Sequence, residues 1–227
     1  MSVARAREGR QGETATAPSE LPEPFIHPSA DVSPEARIGA GTRIWNGVQV
    51  REGAVVGERC VIGKDAYVDV GVRIGDRVKI ENGALVFHGV TVEDGVFIGP
   101  GAILTNDRNP RAVTTAGEVA TEADWTLSPI VLRAGCSVGA GAVVVAGAEI
   151  GRWALVGAGA VVTRSVAEHA LVAGNPARAL GWACVSGHRL VDDGGAPFPP
   201  DRDGRATCPA DGRRYLIAGG RCVPEAA

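Results

Sequence analysis

The chain has 227 residues, and its 23 Lys and Arg residues against 26 Asp and Glu residues give a formal net charge of −3. This balance gives no reason to expect a nucleic-acid polymer or an anionic membrane as a partner. The sequence has no apolar stretch long enough to span a bilayer and no apolar signal-peptide core, so a membrane protein is not expected either.

The first predicted segment is an N-terminal arm over residues 1–22. It mixes Arg, Glu, Gly, Thr and Pro without any hydrophobic period. Such a composition is typical of a disordered or loosely attached segment. The folded part of the chain is therefore predicted to begin at about residue 23.

A six-residue repeat dominates the next part of the chain. An aliphatic residue returns at every sixth position, and a small or β-branched residue follows it four positions later. A period of six matches neither a helix nor one face of an ordinary strand, but it is typical of a parallel β-helix. Each repeat then supplies one short strand and one corner, and about 18 residues close a coil. The aliphatic positions are Ile26, Val32, Ile38, Ile44, Val50, Val56, Ile62, Val68, Ile74, Ile80, Val86, Val92, Ile98 and Leu104.

The repeat stops after Leu104 and resumes at Leu132. Because this separation of 28 residues is not a multiple of six, we predict a loop over about 105–131 that is ejected from the prism. Loops of this length in compact folds are usually functional or disordered. The second block continues to Val166, so that about twenty hexapeptides make six to seven coils over residues 23–166.

The chain changes character after Val166. A solenoid needs a cap on its open end, and residues 167–183 are predicted to supply it. Residues 184–227 are polar and rich in Gly and Pro, and they are predicted to form an irregular tail. The five cysteines are an odd number, which favours reduced thiols and a cytoplasmic location over a disulfide framework.

Several motifs together resemble the left-handed β-helix acyltransferases. The resemblance covers about residues 25–183. It is closest to the bacterial N-acetyltransferases that acetylate an amino group on a nucleotide-linked sugar, such as the 3-amino group of a UDP-2-acetamido-3-amino-2,3-dideoxy-glucuronate. The motifs are the hexapeptide rows, Ile44-Trp45, KIEN at 79–82, TNDRNPRA at 105–112, VGAGAVVTRSV at 156–166, GNPAR at 174–178 and Gly181-Trp182.

This resemblance implies an all-β, left-handed parallel β-helix that assembles as a homotrimer. It also implies active sites in clefts between neighbouring prisms, with acetyl-CoA along the later coils and a nucleotide-linked amino sugar as acceptor. The small outward residues of the later coils offer a smooth surface and backbone amides for a pantetheine arm, and basic side chains can meet its phosphates. The predicted acetyl-CoA-binding residues are Gly141, Ala158, Gly159, Arg164, Pro176 and Arg178.

His88 and Asn82 are the predicted catalytic residues. Acetyl transfer to an amine needs a way to remove a proton and a donor for the oxyanion. His88 is the only histidine in the middle of the solenoid, and a neutral imidazole there could act as a general base, although a surface histidine on a corner is the alternative. Asn82 matches an asparagine of the family's KIQNN pattern and could hold the amine or the acetyl oxygen.

The predicted substrate-binding residues are Arg43, Trp45, Asn46, Glu81, Asn106, Asp107 and Arg111. Several depart from the family pattern. Glu81 replaces a glutamine, and Asn46 and Gln49 stand where the family usually has histidines. These departures indicate that the sugar end of the pocket differs from that of the sugar-uronate enzymes. Turn chemistry is the alternative role for the loop residues.

The tail contains two cysteine-centred segments, CVSGHRL at 184–190 and CPADGRRY at 208–215. They resemble the two knuckles of a small zinc ribbon, but Ser186 and Asp211 replace the second cysteine of each knuckle. Two cysteines do not make a four-thiolate zinc site, and His188 or Asp211 would complete it only at an unfavourable spacing. We therefore predict a degenerate zinc-ribbon-like tail over 184–227 and no metal.

Three other functions remain to be distinguished. The same prism could acylate a different amine or a hydroxyl acceptor of specialised metabolism, or it could be a non-catalytic scaffold. A γ-type carbonic anhydrase would need three histidines that converge on zinc, and the whole sequence contains four scattered histidines.

Overall fold

The computed structural model describes residues 21–225. The predicted arm over residues 1–22 therefore lies, except for its last two residues, outside the described part. The carbonyl of Pro22 accepts a hydrogen bond from the N–H of Gly41 at 2.6 Å, so the described chain begins on the side of the prism.

Twenty-five short strands and one 3₁₀ helix make up the described chain. The helix spans Glu122–Asp124. In chain order the strands are β1 (Phe25–Ile26), β2 (Asp31–Val32), β3 (Arg37–Ile38), β4 (Arg43–Ile44), β5 (Gln49–Val50), β6 (Val55–Val56), β7 (Val61–Ile62), β8 (Tyr67–Val68), β9 (Arg73–Ile74), β10 (Lys79–Ile80), β11 (Leu85–Val86), β12 (Val90–Val92), β13 (Phe97–Ile98), β14 (Ile103–Leu104), β15 (Ile130–Leu132), β16 (Ser137–Val138), β17 (Val143–Val144), β18 (Glu149–Ile150), β19 (Leu155–Val156), β20 (Val161–Val162), β21 (Ala170–Ala173), β22 (Arg178–Trp182), β23 (Gly204–Thr207), β24 (Arg214–Ala218) and β25 (Arg221–Pro224).

Three parallel sheets form the faces of a triangular prism. Face A contains β1, β4, β7, β10, β13, β16 and β19, face B contains β2, β5, β8, β11, β14, β17 and β20, and face C contains β3, β6, β9, β12, β15 and β18. Successive strands thus visit the faces in the order A, B, C. The predicted left-handed parallel β-helix is confirmed.

The coils repeat at a fixed register of 18 residues. Ile80 pairs with Ile62 on one side and with Ile98 on the other. Because equivalent residues of successive coils pair directly, every inward aliphatic stacks on another aliphatic. Nearly all of these positions are fully buried from Ile44 onward, whereas Ile26 in the first coil is 41% exposed.

The register also requires close approach of the backbone at the corners. A Cβ atom on Gly139 would lie 2.5 Å from the backbone nitrogen of Ala158 in the next coil, which is closer than van der Waals contact allows. Glycine therefore lets the coils stack at hydrogen-bonding distance.

We name two edges of the prism by their corner residues. The AB edge joins face A to face B and contains residues 45–48, 63–66, 81–84, 99–102, 139–142 and 157–160. The BC edge joins face B to face C and contains residues 51–54, 69–72, 87–89, 145–148 and 163–165, together with the loop at 105–129.

The loop leaves the prism without disturbing the stack. Across the loop the pairing separation increases to 40 residues, as in Leu104 with Val144, and the 18-residue register then returns. The side chain of Thr105 fastens its start, because Oγ1 donates to the carbonyl of Val144 and accepts from the N–H of Ala146. The loop is therefore held at its base by the following coil.

The cap and the tail are more regular than the sequence indicates. Strand β21 continues face A in parallel with β19, and β22 folds back antiparallel to β21. The tail, expected to be irregular, contains an antiparallel sheet of β23, β24 and β25 around the buried Tyr215 and Ile217. No helix within residues 21–225 is long and apolar enough to cross a membrane.

Loss of a stacked anchor should destabilise the prism much more than loss of an anchor at its open end. We expect Ile98→Ala to lower the free energy of unfolding by about 2–5 kcal/mol, because the neighbouring coils cannot collapse into the cavity. Ile26→Ala on the same face is the matched control and should cost clearly less, since Ile26 is already half exposed. Urea denaturation followed by circular dichroism measures both variants, and equal losses would contradict the stacking argument.

Candidate active site

His88 lies on the BC edge in a local network of polar groups. Its backbone N–H donates to Oδ2 of Asp69 at 3.0 Å, and the Tyr67 hydroxyl donates to Oδ1 of the same carboxylate at 2.8 Å. Arg51, one coil earlier, donates to the Tyr67 oxygen at 3.4 Å. Three successive coils thus build the surroundings of His88.

The carboxylate of Asp69 is the centre of this network. Its side chain is 15% exposed, and burial by itself would raise its pKa. The hydrogen bonds from the N–H of Val70, the Tyr67 hydroxyl and the N–H of His88 outweigh burial and lower the pKa below its usual value. Burial, together with the bond to Asp69, raises the pKa of Tyr67, so this hydroxyl stays protonated as a donor.

The imidazole of His88 is held in one tautomer. Its Nδ1 lies 2.8 Å from the carbonyl oxygen of Val70, the residue 18 positions earlier. A carbonyl oxygen only accepts, so Nδ1 carries a proton, and the lone pair of the neutral imidazole is then on Nε2. No hydrogen bond engages Nε2 within residues 21–225. The ring is therefore oriented as a proton acceptor.

The ejected loop folds back over this corner and makes a cleft of about 580 Å³. The side chain of Leu127 packs on Gly89, where an added Cβ would meet its Cδ1 at 2.6 Å and where φ is +85°. Only glycine satisfies both requirements, so Gly89 allows the loop to pack against this corner. The cleft is lined by Arg51, Asp69, Val70, His88, Asn106, Trp125 and Leu127.

The loop also encloses a larger depression of about 770 Å³ on its outer side. Asn106 and Trp125 line both spaces, so the depression continues into the His88 cleft. Asp107 and Arg111 line the depression, although Oδ1 of Asp107 also accepts the N–H of Asn109 at 2.7 Å in a local turn. The three predicted loop residues are thus brought together, and Asn106 alone reaches His88.

Asn82 lies on the AB edge, which is a different edge of the prism from that of His88. Its Oδ1 accepts the N–H of Lys64 at 2.9 Å, across one coil. Asp76 and Asp94 make the same bond to the coils before them. The oxygen of Asn82 therefore has a structural role, which leaves its Nδ2 amide as the group available to a ligand.

The other predicted residues of the early coils also lie on or next to the AB edge. Arg43 is exposed on face A, and Trp45 packs edge-to-face on Phe25 with ring centroids 5.7 Å apart. Asn46 follows Trp45 in the corner, and Glu81 pairs with Lys79 at 2.8 Å. The described chain does not bring any of these residues into the His88 cleft.

A third concave surface of about 430 Å³ lies between the last coil and the cap. Arg164 and Arg178 line it together, as does Trp182, whose Nε1 is buried and has no hydrogen-bond partner within the described chain. We call this surface the cap groove.

The remaining predicted acetyl-CoA residues lie outside the cap groove. Gly141 and Gly159 stack on the AB edge, but their N–H groups donate to the carbonyls of Pro100 and Ala140 at 2.8 Å. The expectation that both corners present free amides is therefore wrong, because the coil register uses these groups. Ala158, next to Gly159 in the same corner, has no such bond within the described residues, and Pro176 is exposed in the turn of the cap.

Six residues that shape the His88 cleft were not predicted from the sequence. Val70 precedes His88 by 18 residues, which is one coil, and a search around that offset could have found it. Asp69, Tyr67 and Arg51 precede His88 by 19, 21 and 37 residues, so they lie within three positions of one or two coils. Trp125 and Leu127 carry no periodic signal. Their position depends on how the loop returns, which the spacing of hexapeptides does not encode.

Comparison with known proteins supports the repeat assignment. The family described as bacterial transferase hexapeptide (six repeats) matches residues 35–70 and 129–164, and the hexapeptide repeat of succinyl-transferase matches residues 55–88. Both blocks of the solenoid thus contain the repeat of the bacterial hexapeptide transferases, and the predicted resemblance is confirmed at this level.

Individual relatives cover only part of the chain. The dTDP-3-amino-3,6-dideoxy-alpha-D-galactopyranose 3-N-acetyltransferase of Aneurinibacillus thermoaerophilus is 37% identical over 90 residues, which are 40% of this chain and 42% of that protein. A mutant GDP-perosamine N-acetyltransferase of Caulobacter crescentus, solved with CoA and GDP-perosamine, is 26% identical over 71% of this chain and 58% of that chain, with a TM-score of 0.48. The PglB acetyltransferase domain of Neisseria gonorrhoeae, solved with acetyl coenzyme A, is 25% identical over 69% of this chain and 57% of that chain, with a TM-score of 0.45. The chain thus spans less than two thirds of each of these proteins.

The lowered pKa of Asp69 predicts a pH-dependent contribution to stability. A carboxyl group whose folded pKa lies below its unfolded value of about 3.9 stabilises the fold above that pH, and the contribution is lost as the pH falls through the folded pKa. We expect Asp69→Asn to be less stable than the unsubstituted chain at pH 7 and the difference to shrink below about pH 4. Asp65→Asn, on an exposed carboxylate beside Lys64, is the control. Melting temperatures across this pH range measure the effect, and a constant difference at all pH values would contradict it.

Proposed function

We propose that the protein is an acetyl-CoA-dependent N-acetyltransferase that acts on the amino group of a nucleotide-linked amino sugar. The observation that carries the proposal is His88, whose lone pair on Nε2 is fixed by the bond from Nδ1 to Val70 and which lines a cleft closed by the ejected loop. The 37% identical relative is an N-acetyltransferase of a dTDP-linked amino sugar, which supports this acceptor class.

His88 acts as the general base in this proposal. Acetyl-CoA supplies the acetyl group as a thioester, and the sugar amine attacks it directly, so that a C–N bond forms as the C–S bond breaks. Nε2 takes the proton that the amine loses, and it returns a proton to the sulfur of the departing CoA. The Nδ1–H to Val70 bond keeps the ring in the required tautomer throughout.

Asn82 supplies a donor for the carbonyl oxygen of the thioester. Its Oδ1 is engaged by the N–H of Lys64, so the Nδ2 amide is the group left to donate where negative charge develops. Because Asn82 and His88 lie on different edges, a single prism does not place both at one acetyl group. We therefore propose that the active site forms between subunits of a homotrimer, where the AB edge of one prism faces the BC edge of the next.

The cap groove is the proposed phosphate end of the acetyl-CoA site. Arg164 and Arg178 line this groove together and supply positive charge for the phosphates. Ala158, whose N–H is not used by the coil register, is the proposed contact for the pantetheine arm. The loop residues Asn106, Asp107 and Arg111 would then contact the sugar nucleotide from the opposite side of the His88 cleft.

A thiol-release assay tests the reaction and the base together. Purified protein is incubated with acetyl-CoA and a panel of UDP- and dTDP-linked amino sugars, and free CoA should appear only with an amino sugar. We expect His88→Ala to lower kcat by about 10²–10⁴-fold with little change in the Kd of acetyl-CoA, because a base acts mainly in the transition state. His27→Ala, in the first coil, is the control histidine.

The outcomes of this assay separate the alternatives. Release with another amine or with a hydroxyl acceptor would replace the substrate class but keep the acyltransferase. Binding of acetyl-CoA without release to any acceptor would point to a different acyl group. Absence of any acetyl-CoA binding would contradict the proposal and favour a non-catalytic scaffold. Near-normal turnover of His88→Ala would remove His88 from the mechanism.

Intersubunit complementation tests the shared site. Asn82→Asp keeps an oxygen that accepts the N–H of Lys64 but removes the amide donor. Asp76 and Asp94, at the same position of their own hexapeptides, show that an aspartate makes this kind of bond to the preceding coil. Each of Asn82→Asp and His88→Ala alone should be nearly inactive. Co-expressed chains that mix at random in a closed ring should recover about a quarter of the sites, because a site then draws its two residues from different chains. A mixture as inactive as its parents would place both residues in one subunit, and near-normal turnover of Asn82→Asp alone would remove Asn82 from the reaction.

A further inference from the structure

Two turns in the C-terminal region bring a pair of buried thiols together. Cys184 follows strand β22, and Cys208 follows strand β23, 24 residues later. Their Sγ atoms are 3.1 Å apart, and each residue is only 1% exposed. A disulfide bond would be about 2.05 Å long, so these are two separate thiols in contact.

Further donor atoms surround the two sulfurs. A ring nitrogen of His188 lies within 4.8 Å of both Sγ atoms, although His188 itself is exposed. The hydroxyl of Ser186 lies 3.1 Å from the sulfur of Cys184 and 3.6 Å from that of Cys208. Oδ2 of Asp211 lies 3.5 Å from the Ser186 hydroxyl. Two sulfurs and one nitrogen therefore lie within 4.8 Å of one another, and the Asp211 carboxylate lies beside this group, on the far side of the Ser186 hydroxyl.

Backbone groups hold these donors in place. The N–H of His188 donates to Sγ of Cys184 at 3.3 Å, a bond that favours a thiolate. The N–H of Arg213 donates to Oδ1 of Asp211 at 3.0 Å, and Oδ2, on the Ser186 side, also lies 3.6 Å from Nε of Arg213. The hydroxyl of Tyr215 accepts the N–H of Val185 at 3.1 Å, so the first turn is tied to strand β24.

We propose that Cys184, Cys208 and His188 bind a zinc ion, with the carboxylate of Asp211 as the fourth ligand. Zinc prefers four tetrahedral sulfur, nitrogen and oxygen ligands, with Zn–S bonds of about 2.3 Å. Two sulfurs on such an ion lie somewhat less than 4 Å apart, so the thiols need to separate by less than about 1 Å. Soft thiolates beside an imidazole select zinc over magnesium or calcium.

This proposal replaces the expectation that the tail binds no metal. That expectation depended on the two missing cysteines and on the spacing of His188 and Asp211 along the chain. In the folded chain a third donor, His188, reaches both sulfurs, and the position of the absent cysteine in the second knuckle holds a carboxylate. The ion would join the end of the cap to the tail sheet, and it takes no part in the proposed acetyl transfer.

Metal content of the full-length protein tests the proposal. The protein is purified under reducing conditions, supplied with zinc sulfate and desalted, and bound zinc is measured by inductively coupled plasma mass spectrometry. We expect about one zinc per chain, its loss in Cys184→Ser and in Cys208→Ser, and at least a tenfold weaker Kd in His188→Ala. Cys222→Ser is the matched control, because Cys222 is equally buried in the tail sheet and outside the cluster. It should keep its zinc.

A second measurement avoids dependence on variants that fail to fold. Replacement of zinc by cobalt(II) in the unsubstituted protein should produce a thiolate-to-cobalt charge-transfer band and tetrahedral ligand-field bands, and a chelator should abolish both. Absence of zinc and of these bands would overturn the proposal. Retention of zinc in Cys184→Ser would overturn it as well. A count of three free thiols after denaturation without reductant would indicate a Cys184–Cys208 disulfide in place of the metal site.

Discussion

The 18-residue register between coils is the constraint on which the rest of the structure depends. Inward aliphatics must stack on aliphatics, so each coil has to return to the same phase after three hexapeptides. The same register fixes the outward residues in columns. The bond from His88 Nδ1 to the carbonyl of Val70 and the bond from the Lys64 N–H to Asn82 Oδ1 both span 18 residues. Orientation of the candidate base is therefore a consequence of core packing.

The columns also explain why one subunit does not suffice for the proposed chemistry. Residues 18 positions apart lie in one column on the same edge, whereas residues six positions apart lie on neighbouring edges, because each hexapeptide contributes one strand and one corner. Asn82 and His88 are only six residues apart, and this spacing is what places them on different edges. Assembly of prisms side by side is the simplest way in which such columns can face each other.

The periodic part of the fold could be predicted closely, because the aliphatic residue of every hexapeptide points its side chain into the prism. Positions such as Val68 and Ile98 have one inward direction available, and their burial follows from the period alone. The cleft around His88 could not be predicted in the same way. The cleft depends on the contact of Leu127 with Gly89, which lies 38 residues earlier in the chain. No short-range rule specifies that contact.

Backbone hydrogen bonds are a second reason for differences between sequence and structure. A run such as Gly157-Ala158-Gly159 indicates a smooth surface, but it does not say which amides the next coil uses. The register engages the N–H of Gly159, and it leaves that of Ala158. Small residues along a solenoid edge thus leave room for a ligand to approach. The coil register determines which backbone N–H groups are free to bind it.

The tail follows a different principle, because it has no repeat to stabilise it. Its core is small and centres on Phe198, Tyr215 and Ile217, and small domains with little buried apolar surface usually need a cross-link. Chain spacing alone indicates a ribbon that has lost half of its cysteines. In the folded chain the two turns nevertheless bring Cys184 and Cys208 into contact, and an ion bound there as proposed would cross-link the cap to the tail sheet.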